Sequence, residues 1–181
     1  TKDYLLSWFP KLPGYVAFNM RINRLSEVLK RVANIILSDN IPEECLFDIS
    51  LLDSMPIITC SGKRKGAVAR EITDKGYCST KSMYYYGVKL HALGYRRPNH
   101  LPFPESIIIT PASENDLNVF KQNWNKITNR FFFGDKIYQD NDFFNRTWEQ
   151  NKSAMLTPVK AIKGQSEKIK QIDKAVNDLF S

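Results

Sequence analysis

The 181-residue chain is long enough for one α/β domain with a buried core, and its 43% hydrophobic and 25% charged residues are ordinary for a globular protein. No apolar run approaches the roughly 20 residues that span a bilayer, and charges interrupt the early apolar residues, so we expect no membrane segment, no secretory signal and a cytoplasmic protein. The cysteines Cys45, Cys60 and Cys78 show no CxxC spacing, which predicts reduced thiols and argues against a zinc site.

The net charge of +7 is concentrated in one stretch of the chain. Between Cys60 and His100 there are nine lysines and arginines against two acidic residues, so this stretch alone carries the whole excess. A localised positive patch is typical of proteins that bind polyanions. Charge alone leaves a solvated basic loop equally open.

The amino-terminal part of the sequence predicts helices. A short helix is predicted at Tyr15–Met20, after Pro13 and Gly14, and apolar residues recur at helical spacing from Leu25 to Leu37. Asn40-Ile41-Pro42 then ends the second helix. We therefore assign residues 1–43 to a helical segment and residues 44–181 to the main domain.

The rest of the chain predicts alternating strands and helices. Five strands are expected at Cys45–Thr59, Met83–Leu93, Ser106–Thr110, Arg130–Tyr138 and Ala154–Val159, and a basic loop at 61–80. Helices follow the last three strands, the first of them beginning with a capping-box pattern at Ser113 and Asp116. The order β-β-β-α-β-α-β-α predicts an α/β fold with a mixed five-stranded sheet flanked by helices, as in the ribonuclease H-like fold.

Two aspartates stand out against this pattern. Asp53 lies within an apolar strand, where burial of a carboxylate is costly without a partner or a metal ion. Asp135 follows the aromatic run Phe131–Phe133 and Gly134. In the expected topology their strands are neighbours, so the two carboxylates could meet and bind Mg²⁺. A structural role, with Asp53 as a strand cap or arginine partner and Asp135 as a turn residue, stays open.

Four blocks of the sequence resemble, in order, the DDE-type transposases of bacterial insertion sequences: Ile49–Pro56, Tyr84–His91, Thr110–Asp116 and Phe133–Tyr138. The helical region from Phe9 to Leu25 is also similar to the upstream part of that family. The resemblance implies that Asp53 and Asp135 are the first two catalytic acids and metal ligands. It further implies two Mg²⁺ (or Mn²⁺) ions that promote phosphodiester cleavage and strand transfer without a covalent protein intermediate.

The third acid of that family is a glutamate on a helix after the fifth strand. No stretch of this sequence matches the expected pattern around it, so we expect this acid to lie beyond Ser181 and the chain to be a truncated catalytic domain. The partners implied are double-stranded DNA, as transposon ends and target, and a second copy in a homodimer.

Seven basic or polar residues are predicted to contact DNA: Lys63, Arg64, Lys65, Arg70, Lys89, His91 and Lys136. For the last three, simple solvent exposure remains open. The consecutive tyrosines Tyr84 to Tyr86 alternate between strand faces, so no platform for base stacking is predicted. Two other functions remain alternatives, namely an inactive, truncated module that still binds DNA and a different ribonuclease H-like nuclease.

Overall fold

Two consecutive helices occupy the described part of the amino-terminal unit. The computed structural model of the protein describes residues 11, 13–63, 72–159 and 163–177. The chain divides into two compact units, Thr1–Ile41 and Pro42–Ser181. In the first unit α1 spans Tyr15–Arg24 and α2 spans Ser26–Asp39, as the apolar spacing predicts. No helix of the described residues has the length and apolar character needed to cross a membrane.

The second unit is built on a six-stranded mixed sheet. Its strands are β1 (Leu46–Ser61), β2 (Asp74–Cys78), β3 (Met83–Arg96), β4 (Phe103–Pro111), β5 (Phe131–Phe133) and β6 (Ala154–Leu156). Three helices accompany them, namely α3 (Asp116–Asn123), α4 (Asn141–Asn151) and α5 (Glu167–Asn177), with a 3₁₀ turn at Lys136–Tyr138. The α/β class and the ribonuclease H-like fold are confirmed.

Strand pairing explains why the sheet is mixed. The order is β2-β3-β1-β5-β6, with β4 also paired to β3. The long strands β1 and β3 are antiparallel, and β2 and β4 lie end to end along the other edge of β3. The short strands β5 and β6 continue the sheet in parallel from β1. The three consecutive antiparallel strands and the later parallel crossovers match the topology expected from the sequence.

The two faces of the sheet differ in burial. We call the side that carries Leu52, Leu93 and Phe132 the core face, because these side chains belong to the main buried cluster together with Phe120 and Trp124. Side chains alternate along a strand, so the intervening residues project from the opposite, outer face. On the outer face Met55, Ile107 and Ile109 are exposed. Polar groups also join the strands on the core side: Arg130 donates to Ser50 Oγ at 2.6 Å and to Glu105 at 2.9 Å.

Three expectations about elements were wrong. The stretch 61–80, which was expected to be a loop, contains the strand β2. This strand has few apolar residues of its own, and its pairing with β3 stabilises it. The fourth predicted strand ends at Phe133, because Asp135 caps the 3₁₀ turn that follows. Helix α3 begins after Asn115, whose side chain accepts from the N–H groups of residues 117 and 118, so the predicted capping box is not formed. The hydroxyl of Ser113 instead donates to Asp74 at 2.7 Å.

Candidate active site

The two aspartates singled out from the sequence follow the paired segments of two neighbouring strands in the sheet. Strands β1 and β5 are parallel neighbours, with Leu51 opposite Phe133. Asp53 and Asp135 each follow this pair by two residues in the same direction. The expectation that their strands are adjacent is therefore confirmed, although 82 residues separate the two positions in the chain.

Both carboxylates are exposed and held by backbone hydrogen bonds. Asp53 Oδ1 accepts from the N–H of Ser54 at 2.7 Å, and Asp135 Oδ1 accepts from the N–H of Ile137 at 2.8 Å. Asp53 avoids the cost of burial in its apolar strand, because strand alternation puts it on the face opposite Leu52. Each hydrogen bond fixes one carboxylate oxygen, and the other oxygen has no hydrogen-bond partner among the described residues.

The charges of both aspartates raise the pKa of one buried tyrosine, Tyr138. Tyr138 closes the 3₁₀ turn, and its hydroxyl has no hydrogen-bond partner among the described residues. Burial raises the pKa of Tyr138 far above its ordinary value, and the negative charges of Asp116, Asp135 and Asp53 raise it further. Three carboxylates therefore lie within electrostatic reach of one phenol. Gly134 allows this packing, since a Cβ there would lie 2.6 Å from the Tyr138 ring.

Asp116 is the centre of a buried polar network on the core face, directly behind β1. Its Oδ1 accepts from Lys89 Nζ at 3.0 Å, and its Oδ2 accepts from Ser54 Oγ at 2.9 Å. His91 Nδ1 lies 3.4 Å from the same Oδ1. Ser54 is the residue after Asp53, so the network fixes the strand that carries the first candidate acid. The sequence indicated Asp116 only as part of a helix cap, because its contact with Lys89 joins residues that are far apart in the chain.

Lys89 and His91, two of the predicted DNA contacts, face this network and not the surface. Lys89 Nζ also donates to the carbonyl of Glu114 at 2.9 Å, and the His91 side chain has no exposed area. Burial lowers the pKa of His91, and the Asp116 charge opposes that shift only in part. His91 Nε2 lies 2.9 Å from Thr110 Oγ1, whose hydroxyl also donates to the Pro111 carbonyl, and His91 Nδ1 makes no hydrogen bond to a described residue.

The other predicted DNA contacts divide into two groups. Lys136 is exposed directly after Asp135, and Lys63 is exposed just after the end of β1. Arg64, Lys65 and Arg70 lie outside the described residues. Lys136 is thus the predicted contact that stands nearest in sequence to a candidate acid while keeping its side chain in solvent.

Among the residues that the structure describes, no group of three or more histidine, cysteine, aspartate and glutamate side chains is arranged to hold a metal ion. Asp116 is near, but Lys89 and Ser54 already occupy its oxygens. Asp53 and Asp135 are therefore two exposed carboxylates that follow the paired segments of β1 and β5.

Comparison with known proteins identifies the family. Residues 45–178 match the family model described as the transposase DDE domain. No curated protein and no solved structure matches the chain. The match covers nearly all of the second unit, from the start of β1 to the end of α5, and includes both candidate acids. The chain therefore belongs to the transposase DDE domain family.

Proposed function

We propose that this chain is the catalytic domain of a DNA transposase in which Asp53 and Asp135 bind divalent metal ions, Mg²⁺ or Mn²⁺, for phosphodiester cleavage and strand transfer. One observation supports this function most directly. The parallel register of β1 and β5 puts both acids two residues past the same paired position, and the charges of both acids raise the pKa of the buried Tyr138 hydroxyl.

The residues present fit a hard cation. Carboxylate oxygens are the ligands that Mg²⁺ prefers, usually one or two of them together with water and substrate phosphate. Asp53 and Asp135 are exposed, and each keeps one oxygen outside the hydrogen bonds described above. When bound, a pair of ions supplies Lewis-acid activation of the attacking oxygen and stabilises the leaving oxygen.

The remaining roles belong to the protein itself. The N–H groups of Ser54 and Ile137 orient the two carboxylates before any ligand arrives. Lys136 carries an exposed ammonium beside Asp135 and is suited to hold a DNA phosphate as a point charge. Phosphate contacts of this kind position a duplex without reading its sequence. The partner is accordingly double-stranded DNA, and a homodimer remains part of this proposal.

Mn²⁺ binding and DNA nicking test the proposed acids separately. The Asp53→Asn and Asp135→Asn variants should each bind Mn²⁺ about tenfold or more weakly, measured by titration calorimetry, because each loses an anionic ligand. Metal-dependent nicking of supercoiled plasmid DNA should fall in parallel. Asp48→Asn is the matched control, since Asp48 is an exposed aspartate on the same strand. Equal Mn²⁺ affinity in the Asp53→Asn and Asp48→Asn variants would contradict the metal site.

A second candidate function is DNA binding without cleavage. It is favoured by one observation, namely that the described residues contain no group of three or more potential ligand side chains arranged to hold a metal ion. The same experiments separate the two functions. Plasmid binding that is strongly dependent on salt, combined with no nicking in Mg²⁺ or Mn²⁺, would support the non-catalytic module.

A further inference from the structure

A groove of about 570 Å³ lies at the end of the sheet where β1, β2 and β3 meet. Its lining includes Ser61, Lys63, Lys75, Ser82 and Tyr84. Gly62 forms part of its floor, donating its N–H to the Tyr84 carbonyl at 2.9 Å. A Cβ at position 62 would lie 2.7 Å from Tyr84 backbone atoms, so the close approach that shapes this floor requires glycine.

Two exposed tyrosines stand beside this groove. Tyr77 and Tyr84 are paired across β2 and β3, and their rings lie 5.1 Å apart between centroids. Their exposed fractions are 54% and 59%, whereas the adjacent Tyr85 is buried. The cross-strand contact stabilises the sheet, but it leaves more than half of the surface of each residue exposed to solvent. Exposed aromatic surface of this kind is suited to stack on a nucleobase.

The charge of the groove favours an anion. Lys63 and Lys75 are both exposed, and neither is ion-paired with a carboxylate of a described residue. Lys75 Nζ lies 5.1 Å from the centroid of the Tyr84 ring. No residue that lines the groove within the described part of the chain is acidic. Phosphate and base contacts are therefore available side by side.

The groove and Asp53, the first candidate acid, lie on the same face of the sheet. Asp53 pairs with Ala92, and Tyr84 precedes Ala92 by eight residues, an even number that returns the side chain to the outer face. Eight residues of strand correspond to about 26 Å. A DNA molecule lying on the outer face could therefore contact the groove and the two candidate acids at the same time.

From these contacts we propose that the groove binds an unpaired segment of a DNA strand. Its phosphates lie against Lys63 and Lys75, and one of its bases stacks on Tyr84 beside Tyr77. This inference rests on the proposed function in that DNA is the ligand. It adds a preference for DNA with a single-stranded tail next to a duplex, which lysine contacts alone would not produce.

Fluorescence anisotropy with the full chain tests this preference, using a short duplex with or without a single-stranded tail of a few nucleotides. All measurements are made in EDTA, so that loss of the metal site and loss of the groove are distinguishable. The tail should tighten binding to the unchanged protein. Tyr84→Leu should weaken binding of the tailed duplex about tenfold and leave the blunt duplex unaffected, because one base loses its stacking surface. Tyr84→Phe keeps the ring and should retain the preference.

Two further variants test the charge component. For the tailed duplex, log K falls linearly as the logarithm of the salt concentration rises. The Lys63→Gln/Lys75→Gln double variant should make this slope shallower by about 1.4, which corresponds to two phosphate contacts on a single strand. Tyr15→Leu and Lys126→Gln, at exposed positions that are not among the lining residues of the groove, are the controls. An unchanged tail preference in Tyr84→Leu, or no tail preference in the unchanged protein, would overturn the proposal. A salt dependence identical in the double variant and Lys126→Gln would overturn the phosphate contacts.

Discussion

Loss of one charge from the Asp116 network should destabilise the main unit strongly. Lys89 and Asp116 form an ion pair at 3.0 Å, and only 17% and 8% of their side chains are exposed. Lys89→Met would leave the Asp116 carboxylate buried, with the Ser54 hydroxyl as its remaining short-range donor. Removal of one partner from a buried pair costs about 3–5 kcal/mol, because the other charge stays desolvated without compensation.

The double variant is expected to recover much of that loss. We expect about 3 kcal/mol of destabilisation for Lys89→Met and about 2 kcal/mol for Asp116→Asn, since the partly exposed ammonium can still reach water. With both charges removed, neither is left buried alone. The Lys89→Met/Asp116→Asn variant should therefore be less destabilised than the sum of the two, with a coupling free energy of about 2 kcal/mol or more.

Urea unfolding followed by circular dichroism measures these free energies. Lys81→Met, a change at an exposed turn position, is the control for removal of a lysine and should change the free energy of unfolding by less than about 0.5 kcal/mol. Two results would refute the idea that this network supports β1. One is a double variant whose loss of unfolding free energy equals the sum of the two single losses. The other is an equal loss of unfolding free energy in Lys89→Met and Lys81→Met.

Two further predictions concern pH and backbone contact. Burial lowers the folded-state pKa of His91 below its ordinary value of 6.5. As the pH falls, the imidazole of the unfolded chain therefore takes up its proton at a higher pH than the imidazole of the folded protein. The free energy of unfolding, measured in urea, should therefore be at its full value above about pH 6.5 and fall as pH decreases through the folded-state pKa. His91→Gln should flatten this dependence, whereas His100→Gln, at an exposed position, should preserve it. Gly87→Ala should lower the free energy of unfolding by about 1–3 kcal/mol or more, since its Cβ would lie 2.1 Å from the Ile57 carbonyl oxygen. At Gly94 the added Cβ would lie 3.0 Å from its nearest atom, so Gly94→Ala should lose less unfolding free energy in the same urea titration. Equal losses of unfolding free energy in the two variants would contradict the steric explanation.

The sequence by itself determined the fold class, the neighbouring positions of β1 and β5, and the family. Alternating apolar residues and the order of strands and helices are local patterns, and they predicted the mixed sheet without any coordinates. The short blocks around Asp53 and Asp135 then indicated which carboxylates to compare. Their assignment as catalytic metal ligands remains a prediction for the titrations described above.

Only the tertiary structure decided which side chains share a surface. Strand β2 has little apolar patterning of its own, and its pairing with β3 brings Tyr77 beside Tyr84. Asp116 was interpreted as a helix cap until the contact with Lys89, 27 residues away, showed it to be buried in an ion pair. Such contacts depend on strand register and on the burial of distant residues against each other, which no local periodicity records.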